Sequence, residues 1–186
     1  APGNIAVFDQ KIRGRQLLNV QAMVADATDL SGLASESYDM VLVLGPMYHL
    51  PPAERELVFM QSKRVCRKGG ILLFAYINKM GVYLGQCLNH PEQYPNEQKN
   101  DSILVRGIDD TRDHVYWFTM PEEMEEAAQS FGLSVLDNLG VDFVFLPGMF
   151  TAPPERREPW EEMSYFLCQS RSCTGFANHA VMVCQK

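Results

Sequence analysis

Residues 38–54 read YDMVLVLGPMYHLPPAE and join a largely apolar run to a polar turn. Residues 38–44 are apolar on both alternating faces, which is typical of a strand in a parallel sheet covered by helices on each side. Gly45 breaks the run, and Tyr48 and His49 follow directly afterwards. We therefore predict a buried strand that carries a phenol and an imidazole to one end of a sheet.

The chain around this stretch alternates between strand and helix patterns. A first strand is predicted at about 20–25, where VQAMVA alternates in size and polarity. A helix is expected from Pro52 to about Arg67, because proline is tolerated in a first helical turn and Gly69-Gly70 come after it. The continuously apolar ILLFAYI at 71–77 predicts the third strand. Such alternation indicates an α/β fold with a parallel sheet.

The remaining patterns complete one domain, which suits a chain of 186 residues. They predict a helix at 5–16 and a polar lid or insertion at about 78–114 with a short helix near 81–88. A helix is predicted at 119–132, where Thr119 and Glu122 form a capping box. A strand at 133–146, an amphipathic helix at 159–170 and a final strand at 179–186 follow.

Composition and charge argue against several classes of protein. The net charge of −7 argues against nucleic acid as the main partner, and no apolar run approaches the ~20 residues of a membrane helix. The five cysteines form no C-x-x-C pair, which fits a reducing cytoplasm. Cys168 and Cys173 with His179 offer no fourth ligand for zinc, so no metal site is predicted.

Two segments follow predicted strands and carry groups that a nucleoside can use. Ligands of open parallel α/β sheets bind outside the carboxyl ends of the strands. Asp26 can accept from an exocyclic amine, the N–H of Ala27 can donate to a ring nitrogen, and Gly45 allows close approach to the backbone. The sequence contains no G-x-G-x-x-G, no Walker motif and no tyrosine followed four residues later by lysine. The pattern predicts a nucleoside-type cofactor.

Three segments, ADATDLSGLASESYDMVLVLGPMYHL, RVCRKGGILLFAYIN and CTGFANHAVMVCQK, together resemble the class I S-adenosylmethionine-dependent methyltransferases. The similarity is to their bacterial small-molecule branch. It implies a Rossmann-like methyltransferase sheet, mostly parallel with an antiparallel C-terminal strand. It also implies S-adenosylmethionine as cofactor and methyl transfer to a small-molecule acceptor.

The resemblance also implies roles for individual residues. The acidic residue matching Asp26 and the backbone at Ala27 contact adenine, whereas Leu44-Gly45 line the methionine and ribose side. Tyr48 and His49 lie where the family places residues that face cofactor or substrate. We predict that Tyr48 positions the acceptor and that His49 removes its proton. The alternatives are that His49 caps the next helix, that Tyr48 is a buried aromatic and that Asp26 is an ordinary turn residue.

The family's glycine-rich loop after its first strand, and the acidic residue ending its second strand, have no counterpart in this sequence. We expect both to precede Ala1, so that the sheet is N-terminally truncated. Residues 20–25 would then pair with a neighbouring chain or shift against 38–44, and exposed sheet edges would favour a homo-oligomer. The alternative from another functional class is a methyltransferase-like domain that binds a partner without catalysis.

Overall fold

The computed structural model describes residues 1–108, 116–143, 151 and 153–186. Its elements are α1 (Pro2–Gly14), β1 (Tyr38–Val43), α2 (Pro46–His49), α3 (Pro52–Val65), β2 (Cys66–Ile77), α4 (Lys79–Asn89), α5 (Glu97–Lys99) with a π-helical segment (Asn100–Val105), α6 (Pro121–Ser130), β3 (Ser134–Gly140), α7 (Arg157–Gln169) and β4 (His179–Gln185), with 3-10 turns at Pro154–Arg156 and Arg171–Phe176.

The described strands form a four-stranded sheet in the order β1-β2-β4-β3. β1 runs parallel to β2, whereas β4 runs antiparallel to both β2 and β3. β1, β2 and β3 therefore point the same way, and their ends meet the start of β4 at one edge, which we call the carboxyl edge. The predicted α/β class, with a Rossmann-like sheet and an antiparallel C-terminal strand, is confirmed.

One face of the sheet packs on α3 and α6 and forms the main core. Alternate residues of β2 and β4 point to this face, as the two-residue period of a strand requires. Full burial of a large apolar side chain contributes about 1.5–3 kcal/mol relative to leaving it exposed. The fully buried side chains here include Leu72, Phe74 and Tyr76 of β2, Ala180, Met182 and Cys184 of β4, Phe59 of α3 and Ala128 of α6.

The opposite face of β1 is open, so the prediction that this strand is covered on both faces is wrong. Met40 and Leu42 each expose 55% of their surface and Leu44 exposes 63%. They alternate with Val41 and Val43, which pack into the main core. β1 is also an outer strand of the described sheet. The association of two chains through an exposed sheet edge, which the sequence led us to expect, stays a prediction.

The prediction of a strand at about 20–25 is wrong. Residues 20–25 form no strand with the described part of the chain, where the pairing found nearby is an isolated bridge between Asp26 and Asp29. A strand requires a neighbour whose N–H and C=O groups pair with its own. Among the described strands β1 pairs with β2 alone, so residues 20–25 do not shift against it as expected.

The glycine pair expected to stop the third helix lies inside a strand instead. α3 ends at Val65, and β2 begins at the next residue. A Cβ at Gly70 would lie 2.6 Å from Cys66 Sγ and 2.9 Å from the Asp39 carbonyl oxygen. Glycine is therefore required here because β1 and the start of β2 approach closely.

The capping box of α6 is displaced by one residue from its predicted position. Met120 is the N-cap, and its N–H donates to Glu123 Oε2 at 3.0 Å. The Thr119 hydroxyl donates to the same oxygen at 2.8 Å. Glu122 is therefore not the capping carboxylate, because the third helical position falls on Glu123.

The other predicted elements are found with shifted ends. α1, α4 and α7 begin two or three residues before the predicted helices, and β3 and β4 lie within the predicted strands. The residues 109–114 of the predicted insertion and 144–146 of the predicted strand lie outside the described residues. No helix in the described part of the chain is both long and apolar enough to cross a membrane.

Candidate functional site

The end of β1 opens the backbone at the carboxyl edge. Gly45 has φ +129° and ψ −54° and is the N-cap of α2. Among the residues that the structure describes, a Cβ at this position would meet only the Tyr48 hydroxyl oxygen within 4 Å, at 3.9 Å. The positive φ favours glycine, and the free space above it allows a ligand to approach the main chain.

The two residues predicted to contact adenine lie in a tight turn. Asp26 Oδ1 accepts hydrogen bonds from the N–H of Thr28 at 2.9 Å and from its hydroxyl at 2.8 Å. These bonds hold the pKa of Asp26 below its ordinary range, so the exposed carboxylate is ionised. Ala27 packs against the main core, which also contains Val43 and Met47. Asp26 therefore forms a local turn with Thr28, and its contact with a ligand stays a prediction.

Four rings gather where α2 meets the carboxyl edge, and we call them the ring cluster: Tyr48, His49, Tyr116 and His179. The centroids of Tyr48 and His49 are 4.7 Å apart, and those of His49 and Tyr116 are 5.2 Å apart. Tyr48 and His179 pack edge to face, with their ring centroids 6.2 Å apart. The structure therefore brings the predicted Tyr48 and His49 together with two rings that the sequence analysis did not assign.

His179 is held by a carboxylate through two atoms. Its backbone N–H donates to Asp142 Oδ1 at 2.6 Å, and its ring Nδ1 lies 2.9 Å from Asp142 Oδ2. The amide nitrogen of Asn178 is farther from the same ring nitrogen, at 3.3 Å. Because a carboxylate only accepts, the Asp142 contact places the proton on Nδ1 and leaves Nε2 as the acceptor of the neutral ring.

The pKa of His179 is raised and the pKa of Asp142 is lowered, as expected when the two groups attract each other as ions. The hydrogen bond and the charge of Asp142 raise the pKa of His179, although burial opposes this. Burial favours a higher pKa for Asp142, but the hydrogen bonds from His179 outweigh it and leave the pKa below its ordinary range. Asp142 is therefore ionised at neutral pH.

The meeting of Asp142 and His179 depends on a strand pairing that the sequence analysis did not predict. Asp142 follows β3 and His179 begins β4, so an antiparallel pairing of these strands places both residues at the carboxyl edge. The sequence analysis considered His179 only with Cys168 and Cys173 as metal ligands. Within the described ranges, no three His, Cys, Asp or Glu side chains are grouped to hold a metal ion.

Two buried cations lie near one carboxylate of the α6 capping box. Lys79 Nζ is 2.6 Å from Glu123 Oε1, and Lys79 exposes only 8% of its surface. Arg55 donates from Nε to the Leu50 carbonyl at 2.9 Å, while its buried Nη2 has no partner among the described residues. Burial lowers the pKa of Arg55 to about 10, and the charge of Glu123 opposes the shift. The ion pair of Lys79 with Glu123 therefore joins α4 to α6, and Arg55 of α3 feels the charge of the same carboxylate.

A cavity of about 330 Å³ lies apart from the predicted residues. It opens between α6, β3 and the 3-10 turn Arg171–Phe176, and the ion pair of Glu125 with Arg171 lies in its wall. None of the predicted site residues lines it.

Comparison with known protein families gives a match to the first part of the chain. Residues 1–74 match the methyltransferase domain family. No curated protein matches the chain.

Solved structures share the fold at low sequence identity. The (4+2)-cyclase SpnF is 15% identical, with a TM-score of 0.57 over 98% of this chain and 62% of its own. The PH0226 protein from Pyrococcus horikoshii OT3 is 14% identical, with a TM-score of 0.56 over 100% of this chain and 68% of its own. A SAM-dependent methyltransferase from Methanosarcina mazei is 13% identical, with a TM-score of 0.52 over 88% of this chain and 66% of its own.

The chain therefore spans between 62% and 68% of the length of these structures. Residues 1–74 are therefore similar to the methyltransferase domain family, and the solved structures show that the chain shares their Rossmann-like α/β fold.

Proposed function

We propose that this protein transfers a methyl group from S-adenosylmethionine to a small-molecule acceptor at the carboxyl edge. The observation that carries the proposal is the open, positive-φ backbone of Gly45 at the end of β1. It lies at the switch between strand and helix where open α/β sheets bind ligands. The match of residues 1–74 to the methyltransferase domain family supplies the reaction class.

The residues on the cofactor side fit a nucleoside. The ionised Asp26 carboxylate is exposed and can accept from the adenine amine, and the N–H of Ala27 lies beside it in the chain. Leu44 exposes 63% of its surface and offers an apolar wall next to Gly45. We assign these four residues to cofactor binding. When bound, the cofactor supplies a methyl group on a sulfonium that is already activated for transfer.

Tyr48 and His49 are assigned to the acceptor. The leaving group is good, so the protein mainly has to hold the nucleophile in line with the methyl group. Tyr48 positions the acceptor with its ring and hydroxyl, and the carbonyl of Tyr48 is itself fixed by the N–H of Trp117 at 2.9 Å. His49 accepts the proton that a neutral nucleophile loses.

The segment from 78 to 114 is proposed as a lid within a single domain. Its described part contains α4, α5 and the π-helical segment, and Gly107 accepts the N–H of Phe118 at 2.7 Å. This contact closes the segment onto the residues that lead into α6. A reducing cytoplasm fits the five unbridged cysteines.

Calorimetry with S-adenosylhomocysteine tests the proposed function. We expect micromolar binding, and Asp26→Ala should weaken it by about tenfold or more, because a hydrogen bond to a charged group contributes about 1.5–3 kcal/mol. Asp29→Ala is the matched control, since Asp29 forms the same kind of turn with the N–H of Ser31 at 2.9 Å. The control should bind as the wild type does.

Absence of binding by the wild-type chain would overturn the proposal. It would favour the non-catalytic alternative, a methyltransferase-like domain that binds a partner. The test is needed because one structure that shares the fold is a cyclase, and a fold by itself does not determine a reaction.

A further inference from the structure

We infer that His179, held by Asp142, is a second proton acceptor at the carboxyl edge and that the acceptor is a flat aromatic molecule bearing a hydroxyl group. The inference rests on the proposed function and names its substrate class. Its first support is position. His179 is the first residue of β4 and pairs with Ile77 at the end of β2, so it lies at the same edge as Gly45 and α2.

The geometry of the pair is that of an oriented base. Asp142 binds both the backbone N–H and the ring Nδ1 of His179, at 2.6 and 2.9 Å. A carboxylate that fixes the tautomer and orientation of an imidazole is the arrangement by which general bases are activated in unrelated enzymes. The His179 side chain is 42% exposed, which leaves room for a ligand beside it.

The titratable groups around His179 favour proton uptake at neutral pH. Asp142 faces it from the loop after β3, and the Tyr48 ring faces it from α2 at 6.2 Å. Cys168 of α7 lies beside Asp142, and burial together with the Asp142 charge raises the pKa of its thiol, so it stays neutral. Asp142 is thus the charge that acts on the imidazole, and it raises the pKa of His179.

The ring cluster determines the acceptor class. The rings contact one another at centroid distances of 4.7–6.2 Å, and none of the four residues is buried, so each leaves part of its surface open to a ligand. Aromatic ligands pack well in such surroundings, because offset and edge-to-face pairs contribute about 0.5–1.5 kcal/mol beyond area burial. An ammonium group has no lone pair with which to attack a methyl carbon, whereas a neutral hydroxyl keeps a lone pair while it donates its proton to His179 Nε2. A neutral hydroxyl suits an imidazole acceptor.

The step balances without a further reactant. In this step the hydroxyl proton of the acceptor moves to His179 Nε2 in place of His49, and an oxygen electron pair forms the new bond to the methyl carbon. The bond from that carbon to sulfur breaks, and its electron pair stays on sulfur. The products are an aryl methyl ether and S-adenosylhomocysteine, and His179 later releases the proton to water.

Proton NMR of the histidine rings tests the inference, because the chain has four histidines. Spectra are recorded with bound S-adenosylhomocysteine, and three probes are added: phenol, its methyl ether anisole, and benzylamine. His179→Gln assigns the His179 signal, and Asp142→Asn gives the same assignment if that variant does not fold. The exposed His90 at the end of α4 is the internal control.

We expect phenol to shift the His179 signal and anisole and benzylamine to leave it in place. Asp142→Asn should lower the His179 pKa and weaken the response to phenol. Equal shifts with phenol and anisole, no shift with phenol, or an unchanged pKa in Asp142→Asn would overturn the inference. Failure of S-adenosylhomocysteine to bind would instead count against the proposed function, so the two failures are distinguishable.

Discussion

The hydroxyl of Tyr76 donates to Asn138 Oδ1 at 2.7 Å and crosses strand β4 to do so. Tyr76 pairs with Ala180, and the small side chain of Ala180 leaves space for the phenol to reach β3. Both partners are fully buried, and Asn138 Nδ2 donates onward to Glu125 Oε1 at 3.1 Å. A polar bond thus joins β2 to β3 inside an apolar core.

Tyr76→Phe should destabilise the protein by about 1–3 kcal/mol, because it leaves a buried amide oxygen without its donor. Chemical denaturation measures the loss. Tyr165→Phe is the matched control, since Tyr165 is 68% exposed on α7 and should keep the wild-type stability. Equal stability of Tyr76→Phe and wild type would contradict the role given to this bond.

The same residue makes the fold sensitive to alkali. Burial raises the pKa of Tyr76 above the ordinary tyrosine value, even though its bond to Asn138 opposes the shift. A raised folded pKa contributes stability that is full below the unfolded value of about 10 and is lost as pH rises above it. Wild type should therefore lose more stability than Tyr76→Phe between about pH 9 and 11. Parallel losses in the two proteins would show that the pKa of Tyr76 is the same in the folded and unfolded states.

Gly45→Ala should weaken binding of S-adenosylhomocysteine, because a side chain at φ +129° strains the backbone and fills the open edge. The strain itself costs about 1–3 kcal/mol. Gly69→Ala controls for strain, since Gly69 has φ +74° with free space around it and is not among the predicted site residues. Calorimetry should show weaker binding for Gly45→Ala alone. Similar losses for both variants would assign the effect to folding.

Gly81→Ala should destabilise the protein although alanine favours helices by about 1 kcal/mol over glycine. A Cβ at Gly81 of α4 would overlap the carbonyl group of Ala177 and the N–H of Asn178, which are main-chain atoms that cannot move aside cheaply. Gly3→Ala in α1 meets nothing within 4 Å and should leave the melting temperature unchanged or higher. A rise in melting temperature for Gly81→Ala would show that α4 can shift away from residues 177–178.

The Asp142 and His179 pair should stabilise the fold most in mildly acidic solution. The raised pKa of His179 contributes stability that is full below about 6.5 and is lost as pH rises, and the lowered pKa of Asp142 contributes stability that is lost as pH falls below about 4. The difference in stability between wild type and Asp142→Asn should therefore be larger at pH 5.5 than at pH 8.5. Denaturation at both values measures it, and a difference independent of pH would contradict the ion pair.

Local pattern was enough to locate the elements that contain a continuous apolar run or begin at a clear signal. The apolar run at 38–44 became β1, ILLFAYI became the buried part of β2, and the final apolar stretch became β4. The start of α3 at Pro52 was predicted because proline suits the first helical turn. Each of these signals depends on nearby residues, so a single sequence contains it.

Long-range contacts decided the elements that pattern misjudged. The residues at 20–25 have the alternation of a strand, but strand formation depends on a partner that local sequence does not specify. Gly70 was read as a helix stop, whereas it is needed because Asp39 of β1 passes within contact distance. The capping carboxylate of α6 moved to Glu123 because the helix begins at Pro121 rather than one residue earlier.

The sequence by itself determined the fold class and the position of Gly45, Tyr48 and His49 after the end of a strand, because hydrophobic periodicity and turn chemistry are local properties. Only the tertiary structure decided that His179 and Asp142, 37 residues apart, form a hydrogen-bonded pair beside Tyr48. That outcome depends on the antiparallel pairing of β3 with β4 and the order of strands in the sheet. Such pairing is a relation between distant segments, and no local pattern in either segment contains it.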